Sequence, residues 1–332
     1  MGSKFDRYYH REIKMETAKR FAEWVRNQAK EPLSGAWHRH LGQWGLIERQ
    51  AGESLREFYG RAPKYDLSRV SQDEFLGSLG VQISHVRNVQ SIPLEAGRVG
   101  IKDQGEVLRV EEFAVRLYER QGFKVLRLES RPLHALFGTL MFRLIQDSSD
   151  PLVRQSGFGD RRSVSEGGGG IIWTPLPHDF VAPGYGDRRA VAIKRHIDLL
   201  PRDVGAMHRV FDEWLAPSAN LRQYLWAHQA QDTSRARELI AVLGAPSVVR
   251  ILEYLVGDYW GRYTGWPDLL VYGDEGMKFV EVKFSKDSLS EAQRGWIEDN
   301  ATALRFPFEL LKLHRAGHPR SGAGADKVPS SQ

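Results

Sequence analysis

Apolar residues along this chain recur at two different periods, and the change of period marks out its elements. In Val110-Glu111-Glu112-Phe113-Ala114-Val115-Arg116-Leu117-Tyr118 they share one helical face, and Gly122 ends the run. Phe123-Lys124-Val125-Leu126-Arg127-Leu128 then alternates apolar with basic, as a half-buried strand does, and Glu129 follows directly. Leu133, Leu136, Phe137, Leu140, Met141 and Leu144 return to helical spacing. Further helices are predicted over 188–200, 206–215, 221–230, 235–243 and 248–256, punctuated by Pro201, Pro217 and Gly244-Ala245-Pro246. Near the start, Phe21, Trp24, Val25 and Gln28 predict a helix that Pro32 and Gly35 stop, with basic residues between the apolar ones. Residues 51–105 are polar and turn-rich, without a clear period.

The sharpest pattern lies between Gly265 and Asn300. Asp268-Leu269-Leu270-Val271-Tyr272 and Lys278-Phe279-Val280-Glu281-Val282-Lys283-Phe284 flank the turn sequence Gly273-Asp274-Glu275-Gly276, which predicts a β-hairpin. A period of two puts Val280, Val282 and Phe284 on one face of the second strand and Glu281 and Lys283 on the other. Asp268, at the start of the first strand, is expected to approach Glu281. A helix is predicted over 290–304.

Length and composition narrow the picture. A chain of 332 residues suggests about two domains. It has no cysteine, which excludes disulfides, thiolate zinc sites and a cysteine nucleophile. The apolar run from Leu133 is interrupted by Arg143, so no stretch reaches the roughly 18 residues that would span a bilayer. The first residues lack a secretory core and a myristoylation pattern, so an intracellular location, cytoplasmic or nuclear (nucleoid), is expected, with no membrane partner. The net charge of +5 is only mildly basic. Its distribution says more, because Arg7, Arg11 and Lys14 cluster with Tyr8 and Tyr9 in the N-terminal segment. Phosphate contacts from such a face would position nucleic acid without reading its sequence. The plain alternative is a solvated helix face.

Two carboxylates and a lysine converging on one hairpin suit a hard, oxygen-liganded cation, Mg²⁺ or Mn²⁺. Phosphodiester hydrolysis needs such an ion, with a positive side chain beside the reacting oxygens. Without Asp268, a Glu-x-Lys pair alone would read as a surface ion pair. Other candidates carry less. His178 with Asp179, His196 with Asp198 and His208 with Asp212 lack the paired spacing of a zinc helix. Gly167-Gly168-Gly169-Gly170 has no following Gly-Lys-Ser/Thr, so 146–170 reads as a flexible loop. Trp260, Trp266 and Trp296 are candidates for stacking on bases, or more simply for packing.

Pro267-Asp268 with Glu281-Val282-Lys283 resembles the PD-(D/E)XK nuclease motif, and Asp287-Ser288-Leu289-Ser290 with Gln293 and Trp296 resembles its VRR-NUC branch. Val110-Glu111-Glu112, Glu129 and Leu136-Phe137-Gly138-Thr139-Leu140 are similar to the nuclease domain of the Fanconi-associated nucleases. The resemblance implies an α/β fold of the restriction-endonuclease type, a small mixed sheet flanked by helices; it does not cover residues 1–107, which read from their own pattern as a basic, mainly helical N-terminal region of uncertain role. It implies a nuclease-like domain at 108–316, with the VRR-NUC core at about 205–316; the segment 317–332 reads as a disordered tail. It implies a metal-dependent DNA nuclease, structure-selective for flap or branched DNA in repair. Glu129, Asp268 and Glu281 match its metal ligands together with the Val282 carbonyl; Lys283 matches its catalytic lysine, and Asp287 and Gln293 flank the substrate. Ser130 and Phe284 stand where the family has glycine, Ser288 where it has arginine, and Thr174 is the best match to a family glutamine. A junction-resolving or defence endonuclease on the same fold, or a DNA-binding module with a degraded site, are the alternatives.

Overall fold

The computed structural model describes residues 72–316 except 96–97, 129, 182–183 and 286. In chain order these form α1 (Gln72–Ser78), β1 (Gln82–Val89), β2 (Ser91–Pro93), β3 (Val99–Asp103), β4 (Glu106–Leu108), α2 (Val110–Arg120), β5 (Lys124–Arg127), α3 (Arg131–Leu140) and α4 (Phe142–Ile145). There follow β6 (Val153–Gly159), β7 (Ile171–Pro177), α5 (Gly184–Arg188), α6 (Ala190–Leu199), α7 (Val204–Leu215), α8 (Ala219–Tyr224), α9 (Ala230–Leu243), α10 (Ala245–Gly257) and α11 (Tyr259–Arg262). The hairpin strands β8 (Leu269–Gly273) and β9 (Gly276–Phe284), α12 (Glu291–Asp299) with a π-helical turn at Asn300–Leu304, and β10 (Phe308–Arg315) complete the described chain. They divide between two compact units.

One unit holds the sheet. Its five strands run in the order β1-β10-β9-β8-β5, and a three-stranded sheet β2-β3-β4 belongs to the same unit. β1, β10 and β9 are parallel, whereas β8 is antiparallel to both β9 and β5. The expected small mixed sheet is therefore observed. Ala114 and Tyr118 of α2 pack with Leu269, Val271, Val280, Val282, Phe284, Leu311 and Leu313, which all face the same side of the sheet. Each such side chain, fully buried, contributes roughly 1.5–3 kcal/mol. Arg109, before α2, donates its backbone N–H to Glu112 at 3.0 Å, which satisfies one group left over at the start of the helix. At the rim, the buried Glu309 accepts from Tyr118 Oη at 3.1 Å and lies 2.5 Å from Lys278 Nζ. That lysine also sits over the Tyr118 ring.

The described end of the N-terminal region departs from the helical expectation. Residues 82–108 supply four strands, and β1 joins the sheet that carries the hairpin. β2 and β4 escape a period test because they are three residues long, and β1 because it is a polar edge strand whose register shifts between Val86 and Val89. Asn88, inside that shift, has φ 61°.

The other unit is helical, with one hairpin. α3 is buried along almost its whole length and packs with α7, α8 and α9. The stretch expected as a flexible loop, 146–170, contains β6, which pairs with β7 along Val153↔Pro177 to Gly159↔Ile171. Gly-rich connections conceal such strands, because the turn residues outnumber the paired apolar ones. The helix expected over 221–230 is really two, α8 and the start of α9, parted by Trp226 at φ 61°. Among the described residues, no single helix is long and apolar enough to cross a membrane.

Candidate active site

The hairpin is where sequence and geometry converge. β8 and β9 pair from Gly273↔Gly276, across a two-residue Asp274-Glu275 turn, to Leu269↔Val280, where the ladder stops. Continuing that register sets Asp268 opposite Glu281 and Pro267 opposite Val282. Proline has no N–H to donate, so it cannot extend the ladder to Val282. The Val282 backbone N–H goes instead to Asp268, whose Oδ2 accepts it at 2.9 Å. This side-chain bond fixes the aspartate against the second strand where backbone pairing ends.

Glu281 is 2% exposed, and its Oε1 lies 2.8 Å from Lys283 Nζ, on a side chain 14% exposed. Burial pushes the Glu281 carboxyl up to about 8; the charge of Asp268 pushes the same way, Lys283 opposes, and Glu111 adds a smaller upward push. Two carboxylates thus share one poorly hydrated place, and without a cation they resist full ionisation. Their oxygens are hard donors of the kind that hold Mg²⁺ or Mn²⁺, so the residues present fit such an ion. Among the described residues no group of three or more His, Asp or Glu is gathered for a metal, so the described carboxylates of this set are Asp268 and Glu281.

Other expected site residues fall differently. Asp287 accepts the Phe284 N–H at 3.3 Å and returns its own N–H to the Phe284 carbonyl at 3.0 Å, which closes the end of β9. Gln293 lies on α12, in the helical unit. Glu129, Arg7, Arg11 and Lys14 lie outside the described residues. Ser130, next to Glu129, has φ 64°, a conformation glycine adopts without strain, which gives a physical reason for the family's preference there. Glu111 is the acid that the motif pattern did not single out. It sits in the first turn of α2, and its place inside the Val110-Glu111-Glu112 stretch is the one sequence signal that points to it.

The weaker metal candidates are engaged otherwise. Asp179 pairs with Arg188, Asp198 with Lys194, and Asp212 with Arg237. The rings of His196 and His208 contact the carbonyls of Leu140 and Arg237. Thr174 is buried in β7 and accepts from Gln146 Nε2 at 2.6 Å. Trp266 and Trp296 are both buried, with ring centroids 5.6 Å apart, and Trp260 packs edge-on against Tyr259 and Tyr224. These three tryptophans pack.

Residues 203–313 match the VRR-NUC domain. Over 212 residues the chain is 27% identical to the Fanconi-associated nuclease 1 homolog of Arabidopsis thaliana, a match that covers 60% of this chain and 22% of that protein. Over 260 residues it is 23% identical to Fanconi-associated nuclease 1 of Homo sapiens, covering 76% of this chain and 24% of that protein. The chain therefore spans less than a quarter of the length of these relatives. Its fold is similar to that in a crystal structure of paFAN1 bound to DNA with a two-nucleotide 5′ flap and a gap, at a TM-score of 0.50 and 19% identity, over 93% of this chain and 49% of that one. The resemblance read from the motifs is borne out.

Proposed function

We propose that this chain is a Mg²⁺- or Mn²⁺-dependent DNA nuclease that hydrolyses phosphodiester bonds and selects flap or branched DNA in intracellular DNA repair. The observation that carries the reading is the meeting of Asp268 and Glu281 beside Lys283, at the point where Pro267 ends the β8–β9 ladder. The VRR-NUC match and the relatedness to Fanconi-associated nucleases support the reaction class. The flap DNA in the paFAN1 crystal makes a 5′ flap the first substrate to try.

In this reading Asp268, Glu281 and the Val282 carbonyl hold the cation, with Glu129 as a further ligand. The bound ion would neutralise phosphate charge and lower the pKa of an attacking water. The Val282 N–H keeps the Asp268 carboxylate aimed across the strand end. Lys283 offsets carboxylate charge through Glu281 and brings a cation to where negative charge grows on the phosphate oxygens. Asp287 fixes the chain that follows β9 and, with Gln293, flanks the substrate. Arg7, Arg11 and Lys14 grip the duplex through phosphate contacts. The intact Asp268, Glu281 and Lys283 set speaks against a degraded binding module.

The test is cleavage of a panel of labelled 5′ flaps, 3′ flaps, forks, nicks, junctions and plain duplex, with Mg²⁺, Mn²⁺ or chelator. Metal-dependent cleavage that favours branched substrates is expected. Failure to cut any substrate to which the protein binds, in either metal, overturns the reading.

A further inference from the structure

The sheet carries a second feature on the face that bears Glu281 and Lys283. In β10 the residues aligned with them are Leu310 and Lys312, because the parallel register runs Leu310↔Glu281 and Lys312↔Lys283. β1 continues the row, since His85 aligns with Lys312. Aligned residues on neighbouring strands project to the same face. The packing bears this out: the intervening Val282, Phe284, Leu311 and Leu313 all join the core with α2. Two residues further along β10, His314 shares the face and meets His85, with Nδ1 of His85 2.8 Å from Nε2 of His314 and the rings stacked 5.0 Å apart. Lys283, Lys312 and His85 therefore form one row across three strands, and His314 thickens its outer end.

With neighbouring strands about 4.8 Å apart, the row spans roughly 10 Å. That is about three nucleotides of rise along one DNA strand. The His85–His314 contact uses one nitrogen of each ring, and each ring has a second nitrogen outside that contact.

We infer that Lys312, His85 and His314 form a phosphate track that leads a nucleic-acid strand across the sheet to Lys283, and so positions the scissile bond. The track rests on the nuclease reading and gives Lys312 the main positioning role. It reads phosphates, not bases, so it acts on every DNA substrate alike.

The test is binding of a fluorescent 5′-flap DNA by anisotropy in chelator, across a series of salt concentrations, for wild type, Lys312→Gln, the Lys312→Gln/His85→Gln pair, Lys312→Arg and Lys102→Gln. Lys102 is exposed on the three-stranded sheet, so Lys102→Gln removes the same charge outside the row. Lys312→Gln is expected to weaken binding roughly tenfold and to reduce the log-log salt slope by about 0.9. The double variant should weaken binding further, and Lys312→Arg should restore the slope, which a packing role would not do. Unchanged affinity and slope in Lys312→Gln, or an equal loss in Lys102→Gln, overturns the track while the nuclease reading stands. Wild type that binds no DNA at all overturns both.

Discussion

Glu281→Gln isolates the electrostatic strain of the site from its chemistry. In the folded protein the Glu281 carboxyl is raised from 4.5 to about 8, by burial first and by Asp268 second. The folded state therefore holds this proton more tightly than the unfolded chain does. Wild-type stability should be full below about pH 4.5 and should fall as pH rises through 8. At 1.36 kcal/mol per unit, the ceiling on the loss is about 5 kcal/mol. Glutamine has the same shape and never ionises, so the variant escapes the loss. The attraction of Lys283 is already contained in the value of about 8; what glutamine gives up besides is a hydrogen bond, worth about 1 kcal/mol. Even with half the ceiling realised, a metal-free variant should be more stable by about 1–2 kcal/mol at pH 9. That is a rise in melting temperature of roughly 2–8 °C at about 2–4 °C per kcal/mol.

The assay is thermal unfolding of wild type and variant in chelator at pH 5, 7 and 9. The two melting temperatures should lie close together at pH 5 and diverge at pH 9, the variant being higher. Added Mg²⁺ or Mn²⁺ should then stabilise wild type and leave Glu281→Gln unmoved, because only a cation held by the native site shifts the equilibrium. A constant offset across pH, or a variant less stable at pH 9, refutes the reasoning.

Other perturbations probe separate parts of the design. Asp268→Ala should abolish cleavage while flap binding persists, read by gel cleavage beside anisotropy; near-normal turnover would remove Asp268 from the reaction. Lys278→Met leaves the buried Glu309 without its ammonium and should cost about 3 kcal/mol in chemical denaturation; a loss under about 1 kcal/mol would mean that Tyr118 alone suffices. Gly265→Ala should destabilise strongly, because Gly265 has φ 87° and an added Cβ would lie 2.1 Å from the Ala292 carbonyl oxygen; a melting temperature equal to wild type would contradict that close approach. Glu129→Gln should cut activity sharply and raise the metal concentration for half-maximal cleavage; wild-type behaviour would reduce Glu129 to a strand-end acid.

Elements with an unbroken apolar face were legible in the sequence, and polar or interrupted ones were not. α2, β5, α3, α10 and the β8–β9 hairpin have enough alternating or helically spaced apolar residues to be read directly, since each buries one continuous face. The strands β1 to β4 do not. β1 mixes Ser84, His85, Arg87 and Asn88 into an edge position where only one side of the backbone is paired. Its membership of the sheet depends on β10, more than two hundred residues later, and no local window contains that contact. The Glu281, Lys283 and Asp268 arrangement was legible because a strand's two-residue period and a two-residue turn fix it locally. The track through Lys312 and His85 was not, because three strands from opposite ends of the chain must first be in register.

The proline of the motif has a physical role that follows from the same register. An aspartate beside a paired strand would ordinarily point at a ladder already full of backbone bonds. Here the residue before it has no N–H for the Val282 carbonyl, so no full pair follows Leu269↔Val280, and the Val282 N–H goes to the Asp268 side chain. That bond brings a carboxylate alongside a second, buried one, an arrangement that costs stability in the free protein and that a divalent cation would offset. A residue with an N–H in place of Pro267 could donate to the Val282 carbonyl and close a full pair there, in which its own carbonyl would compete with Asp268 for the Val282 N–H. The motif's first two residues act together on one partner: the proline withholds a donor from the Val282 carbonyl, and the aspartate accepts the Val282 N–H.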